Sequence, residues 1–265
     1  MSRSVDTALP QVYGVTITTP DLVRAVDDIV TLSRSGEPSS VFTLNLDHVV
    51  KLRRDARFRG AYATANVVTA DGWPIAWIAR RQNTVFKRTT GADLVLPLID
   101  RAAEHEIPIF FFGTSAAVMG RVGQELSLRT EGRISIAGTL SPSNAFDPEG
   151  PEADAAIAEI RKSGAKICLV ALGAPKQELF SNYARKMGLA CCMVCVGAAL
   201  DFIAGQQIRA PKILRDHGLE WAWRLASNPR RLARRYLESA SMFVYLAASE
   251  ATKQRDEGRL RSPQN

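Results

Sequence analysis

KICLVALGAPKQELF, residues 166–180, holds the fold in miniature. The apolar run from Ile167 to Leu172 is unbroken and does not alternate, which is the pattern of a strand buried on both faces. Gly173 ends it, and Pro175 suits the first turn of a helix that would carry Lys176, Gln177 and Glu178 at its start. Strand, turn and helix follow one another within a few residues. The same succession recurs along the chain, with strands expected at VYGVTI, VFTLN, NVVTA, IPIFFFG, RISIAG, KICLVALG and ACCMVCVG. Helices are expected over 21–33, 92–105, 115–128, 152–162 and 176–187. Such alternation predicts an α/β fold, a Rossmann-like, mostly parallel sheet flanked by helices.

The alternation stops near Ile203. Beyond it, AGQQIRAPKILRDHGLEWAWRLASNPRRLARRYL reads as helices broken by Pro211, Gly218 and Pro229. Between 209 and 235 stand eight Lys or Arg against two acids, Asp216 and Glu220. The composition thus divides the chain into an α/β domain, 1–205, and a C-terminal helical basic appendage, 206–265.

With 265 residues, 46% of them hydrophobic, the chain can bury a substantial core. Lys and Arg outnumber Asp and Glu by 34 to 27, and the resulting +7 favours anionic partners such as phosphates, nucleic acid or an acidic lipid surface. No segment reaches the roughly 18 apolar residues of a membrane span, and MSRSVDTALPQ lacks the apolar core of a signal peptide. A cytosolic protein is the expectation. Cys168, Cys191, Cys192 and Cys195 sit in apolar, strand-like runs and are expected as buried, reduced thiols.

In open α/β sheets, ligands collect beyond the carboxyl ends of the strands, so polar residues there are the candidates. In TLNLDH, Thr43 and Asn45 can hold a sugar or phosphate oxygen, although Asn45 or Asp47 can equally cap a helix. In ADGWP, Asp71 stands at a strand end beside Gly72, placed for general-base work or for capping a helix through Trp77. Trp73 and Trp77 lie one helical turn apart and are expected to pack inward. In FKRTTGADLV, Arg88 precedes a helix amino terminus suited to a diphosphate, with a solvated loop as the alternative. Gly113, followed by Thr114 and Ser115, is a plain phosphate turn. Gln177 can recognise a uracil edge or sugar hydroxyl, and Asp201 either binds a hydroxyl or caps a helix. His48, His105 and His217 are scattered and expected to be surface or structural residues, and no cluster has metal-ligand spacing.

Taken together, TLN (43–45), ADG (70–72), RTTGADL (88–94), GAPKQE (173–178), VGAALDFIAG (196–205) and RAPKILRDHGLEWAWRLASNPRRLARRYL (209–237) resemble the WecG/TagA/CpsF family of bacterial glycosyltransferases. The resemblance implies inverting, metal-independent transfer of a sugar from a UDP-sugar donor to a polyprenyl-diphosphate-linked sugar acceptor at the inner face of the cytoplasmic membrane. It implies Asp71 as general base, with Thr43, Asn45, Arg88, Gln177 and Asp201 in the pocket, and Arg224, Arg231 and Arg234 on the acceptor's diphosphate. No cofactor and no nucleic-acid partner are implied, and assembly into a homo-oligomer stays open. Trp73 stands where many members of that family carry a smaller residue.

Two other readings compete: another nucleotide-dependent α/β enzyme, and a nucleic-acid-binding module built on the basic appendage. The absence of a GxGxxG turn counts against a dehydrogenase. The arginines are followed by the run MFVYL instead of being interleaved with aromatics for base stacking, which counts against the second. MFVYL itself is placed either at a membrane interface or against the core.

Overall fold

The structure, a computed structural model, describes residues 8–261 except 228, and within that range leaves out the side chains of Arg215, Asp216, Arg224, Ser227, Arg231, Arg234 and residues 253–261. Its first element corrects the first strand expectation. VYGVTI does not join the main sheet; it folds as an antiparallel hairpin of β1 (Gln11–Val12) and β2 (Val15–Thr16). Tyr13 and Gly14 both take positive φ, 52° and 74°, the turn that matches the twist of a two-residue hairpin.

The main sheet contains β3 (Ser39–Leu44), β4 (Val67–Ala70), β5 (Ile109–Gly113), β6 (Ile136–Leu140), β7 (Ile167–Ala171) and β8 (Cys192–Cys195). It is parallel throughout, in the order β4-β3-β8-β7-β5-β6. Alternate residues of each inner strand enter different cores. Phe42, Phe110, Phe112, Cys168, Val170, Met193 and Cys195 face one; Val41, Ile109, Phe111, Ile167, Leu169 and Val194 face the other. Both faces are therefore apolar, which is why the strands read as unbroken hydrophobic runs. All four cysteines are free and buried within these cores.

On the first face lie α2 (Leu46–Arg54), α3 (Ala56–Ala63), α4 (Trp73–Gln82), α7 (Pro151–Ser163) and α8 (Lys176–Lys186). On the second lie α1 (Leu22–Ser35), α5 (Gly91–Glu104), α6 (Ala116–Arg129) and the short α9 (Ala199–Ile203). Connections stepping toward the β4 edge (β3 to β4, β6 to β7, β7 to β8) run over the first face. Those stepping the other way run through α5 and α6 on the second, as one crossover handedness requires. The β4 edge is covered by the segment at Thr18, whose amide donates to Val68 O (3.0 Å) and whose hydroxyl accepts from Val68 N (2.8 Å).

Helix α2 is the one that Asn45 was offered as capping, whereas α3 was not expected from the sequence. Asp55 ends the first and starts the second, its carboxylate accepting from the amides of Arg57 and Phe58. Their charged outer faces hide a buried row of His48, Val49, Leu52, Phe58, Ala61 and Tyr62.

After α9 come α10 (Lys212–Asp216), α11 (Glu220–Ser227) and α12 (Pro229–Arg261). The last returns across α2 and α4 through Arg54–Glu238 (3.0 Å), Arg235–Asp47 (2.9 Å) and Gln82–Glu250 (2.9 Å). Met242 and Leu246 enter the core, and Phe243 meets Trp73 and Trp77 edge-on while the two indoles stack at 6.2 Å. Val244 and Tyr245 stay exposed. The MFVYL run is thus divided, one side packed and the other outward.

Gly113 closes β5 with φ 130°, where an added Cβ would stand 2.3 Å from Ala171 O. Gly132 also has positive φ, 76°, yet an added Cβ there meets nothing within 4 Å. Gly113→Ala should lose on the order of 3 kcal/mol or fail to fold, against about 1 kcal/mol for Gly132→Ala. Urea unfolding of both variants measures this; equal losses would contradict the close-approach account.

Candidate functional site

The site is built where β3 and β4 end together. Thr43 pairs with Thr69 and Leu44 with Ala70, and the Asp71 amide extends the ladder by donating to Leu44 O at 2.8 Å. The Asp71 side chain is thereby brought beside Thr43, whose hydroxyl donates to Asp71 Oδ2 at 3.4 Å. The residue that caps α4 is Gly72, without any side-chain hydrogen bond, so capping α4 is not the role of Asp71. Asn45, by contrast, does cap: its Oδ1 accepts from His48 N at 3.0 Å, which engages the carbonyl end of its side chain at the start of α2.

A second group gathers at the amino terminus of α5. Thr90 caps the helix by accepting from Asp93 N at 3.1 Å. Asp93 is flanked by Arg88 Nη1 (3.4 Å) and Arg209 Nη2 (2.6 Å), and Arg209 also donates to Thr90 at 3.2 Å. Burial raises the Asp93 carboxyl, but the two guanidiniums and the hydrogen bonds outweigh it and hold the pKa below the usual value. Two arginines against one carboxylate leave this helix amino terminus electropositive, a suitable seat for an anion. Gly91 permits the arrangement: a Cβ there would stand 2.9 Å from Val196 O, so α5 rests directly on the end of β8. Sequence reading missed Arg209 as a site residue, although it opens the RAPK block.

The remaining candidates spread along the strand ends. Gln177 is buried, at 3% exposure, and its amide is already used: Nε2 donates to Glu178 Oε1 (2.7 Å) and Oε1 accepts from Gly197 N (3.1 Å). In this state it holds the turn after β8 and does not present a free edge. Asp201 accepts from the Thr114 hydroxyl (2.6 Å) and from Gln207 Nε2 (3.0 Å), closing the turn that Gly113 begins. Four strand steps of about 4.8 Å separate the end of β4 from that of β5, so Asp71 and Gly113 stand roughly 19 Å apart at opposite ends of the row, with Gln177 and Gly197 between. Arg224 lies in α11, and Arg231 and Arg234 in α12; their side chains fall outside the described residues, while Arg230 and Arg235 of the same stretch are exposed.

Beneath these turns is a buried polar cluster. His48 is in the core: its Nδ1 is 2.7 Å from the Tyr62 hydroxyl, and its Nε2 lies 3.8 Å from Glu178 Oε1. Burial lowers His48 to about 3 and raises Glu178 to about 7, so near neutral pH the imidazole is uncharged and the carboxyl is half protonated. Placing Glu178 at a helix start suggests only a favourable dipole; its complete burial is a tertiary effect.

The family model described as Glycosyl transferase WecG/TagA/CpsF family matches residues 10–257 of the 265, so it spans the strand-end row, the α5 terminus and nearly all of α12.

The buried pair makes stability depend on pH with a definite sign. Glu178 keeps its proton in the fold between 4.5, its ordinary value, and about 7, so its contribution declines as pH rises through that window. His48 stays neutral in the fold between 6.5 and about 3, so its contribution declines as pH falls through that window. Where the windows overlap the two oppose each other. Glu178→Gln removes the first, and its stability relative to the native chain should rise steadily with pH up to about 7. Urea titrations at a series of pH values measure the difference; a difference independent of pH would contradict the burial of an ionisable Glu178.

Proposed function

Because the chain belongs to the WecG/TagA/CpsF glycosyltransferase family, and so acts in cell-surface polysaccharide synthesis, we propose that it moves a sugar from a UDP-sugar to a polyprenyl-diphosphate-linked sugar with inversion and without a metal. The observation that carries the mechanism is the placement of Asp71. Its carboxylate is fixed at the joint end of two paired strands, beside the Thr43 hydroxyl, and does not cap the following helix. Asp71 takes the proton of the acceptor hydroxyl. The freed oxygen forms a bond to the anomeric carbon from the side opposite UDP, while the sugar–phosphate bond breaks and its electron pair leaves with the diphosphate. Arg88 and the α5 amino terminus meet that departing charge, and Arg209 keeps Asp93 from neutralising Arg88 completely. Thr43 orients the base; Asn45, Gly113, Gln177 and Asp201 shape the donor side.

Residues 1–205 are assigned to catalysis and residues 206–265 to acceptor binding, with Arg224, Arg231 and Arg234 on the lipid diphosphate. No helix among the described residues is long and apolar enough to cross a membrane. Support for contact with the inner membrane surface comes from Ile208, Ile213, Trp221 and Leu237, which are exposed near the exposed cations Lys212 and Arg230.

Asp71→Asn should lower turnover by ~10²–10⁴-fold while UDP affinity stays within experimental error. Steady-state kinetics with calorimetric UDP binding measure both, and full activity would exclude Asp71 as the base. Replacing Arg224, Arg231 and Arg234 together by Gln should raise KM for the lipid-linked acceptor by about tenfold or more and leave donor KM in place. An unchanged acceptor KM would remove the appendage from diphosphate binding.

A further inference from the structure

Glu178 is the most deeply buried acid among the described residues, with no solvent exposure, and its Oε2 has no hydrogen-bond partner. A bare buried oxygen needs a reason, since an unpaired polar group in a core costs about 1–3 kcal/mol. Its neighbours suggest one. Oε1 accepts from Gln177, whose own oxygen holds Gly197 N in the turn between β8 and α9. The same Oε1 stands 3.8 Å from His48, whose backbone amide is the donor to Asn45 in the turn between β3 and α2. Glu178 itself opens α8 after β7. One carboxyl therefore lies under the turns that follow three adjacent strands, all on the donor side of the site.

We propose that Glu178 is a positioning residue for the donor: uncharged, it lets the turns at Gly197 and Asn45 and the start of α8 pack over it without water, and its ionisation draws water beneath them, loosens the three turns and weakens binding of the nucleoside diphosphate. The inference rests on the donor-site reading above. Burial outweighs the groups that favour an ionised form, namely the Gln177 side-chain amide, the backbone amide of Glu178 itself and Lys51. His48 on α2 is neutral, Tyr62 on α3 is held in its protonated form by burial, and so is Cys195 on β8. Lys51 on α2 is bound to Asp47, which also takes Arg235, and Asp71 adds a further negative charge near Tyr62. A carboxylate formed there, with one oxygen bare, has to draw in water or shift the start of α8. Burial places this titration at about 7, within the working range of an enzyme.

The test compares UDP binding to the full chain and to Glu178→Gln by calorimetry from about pH 6 to about pH 8, with melting curves for both. UDP's own ionisation cancels in the comparison. The native chain should lose affinity by up to about tenfold per pH unit above neutrality relative to the variant, which keeps a neutral amide in place of the acid. By reciprocity, UDP should raise the midpoint at which the protonated-acid carbonyl band of ¹³C-glutamate-labelled protein disappears in the infrared. That measurement needs no variant and stands if Glu178→Gln fails to fold. A pH dependence shared by both proteins overturns the proposal, as does loss of UDP binding by a folded variant at every pH, or an infrared midpoint that UDP does not move. Failure of the donor-site reading looks different: the native chain would bind no UDP at any pH.

Discussion

The parallel pairing of β3 with β4 on one side and β8 on the other is the constraint from which the site follows. Leu44 beside Ala70, with the Asp71 amide on Leu44 O, carries two segments separated by a helix pair to one common edge. The β3–β8 pairing brings the Gly197 turn to the same edge. Parallel strands all end on one side, and every following helix starts there, so backbone donors and polar side chains collect in a single row. The apolar strands decide where chemistry can occur without taking part in it.

Close backbone approach sharpens that row. Gly91 lets α5 rest on Val196, and Gly113 lets β5 turn against Ala171, in each case where a side chain would collide with a carbonyl. These contacts bring helix amino termini near the strand ends, and the cations Arg88 and Arg209 add to the dipole at α5. Arg209 also ties the start of the C-terminal helices to this terminus. Farther on, Phe243 against Trp73 and Trp77 ties α12 to the helix that starts two residues after Asp71. The C-terminal helices are thus joined to the strand-end edge that holds Asp71 by a polar contact at one end and an aromatic one at the other.

The sheet was legible because strands buried on both faces must be apolar at every position, a signal that needs no knowledge of partners. VYGVTI misled for the same reason: Val12, Val15 and Ile17 are buried, but by hairpin packing and not by the sheet. Of α2 only the capped start at Asn45 was offered, and α3 was missed, because their arginines mask a buried row that includes the polar His48 and Tyr62. Asp71 and Thr43 could be named from their strand ends, whereas their mutual hydrogen bond depends on register. Gln177 was also named, but its burial and its grip on Gly197 arise from packing of α8 under β8, which no local pattern contains. Arg209 was not singled out as a site residue, and Glu178 was read only as an acid at a helix start, because a salt bridge across 116 residues and a fully buried acid are tertiary facts.

In the proposed reaction this strand-end row transfers a sugar from UDP to a lipid-linked acceptor. Incubating the full chain with a panel of UDP-sugars and a short-chain polyprenyl-diphosphate sugar, with released UDP quantified and the new linkage assigned by NMR, tests it most directly. One donor should yield UDP in step with a glycosidic bond of inverted configuration. A product of retained configuration, or no UDP release beyond that seen without acceptor for any donor, would contradict it.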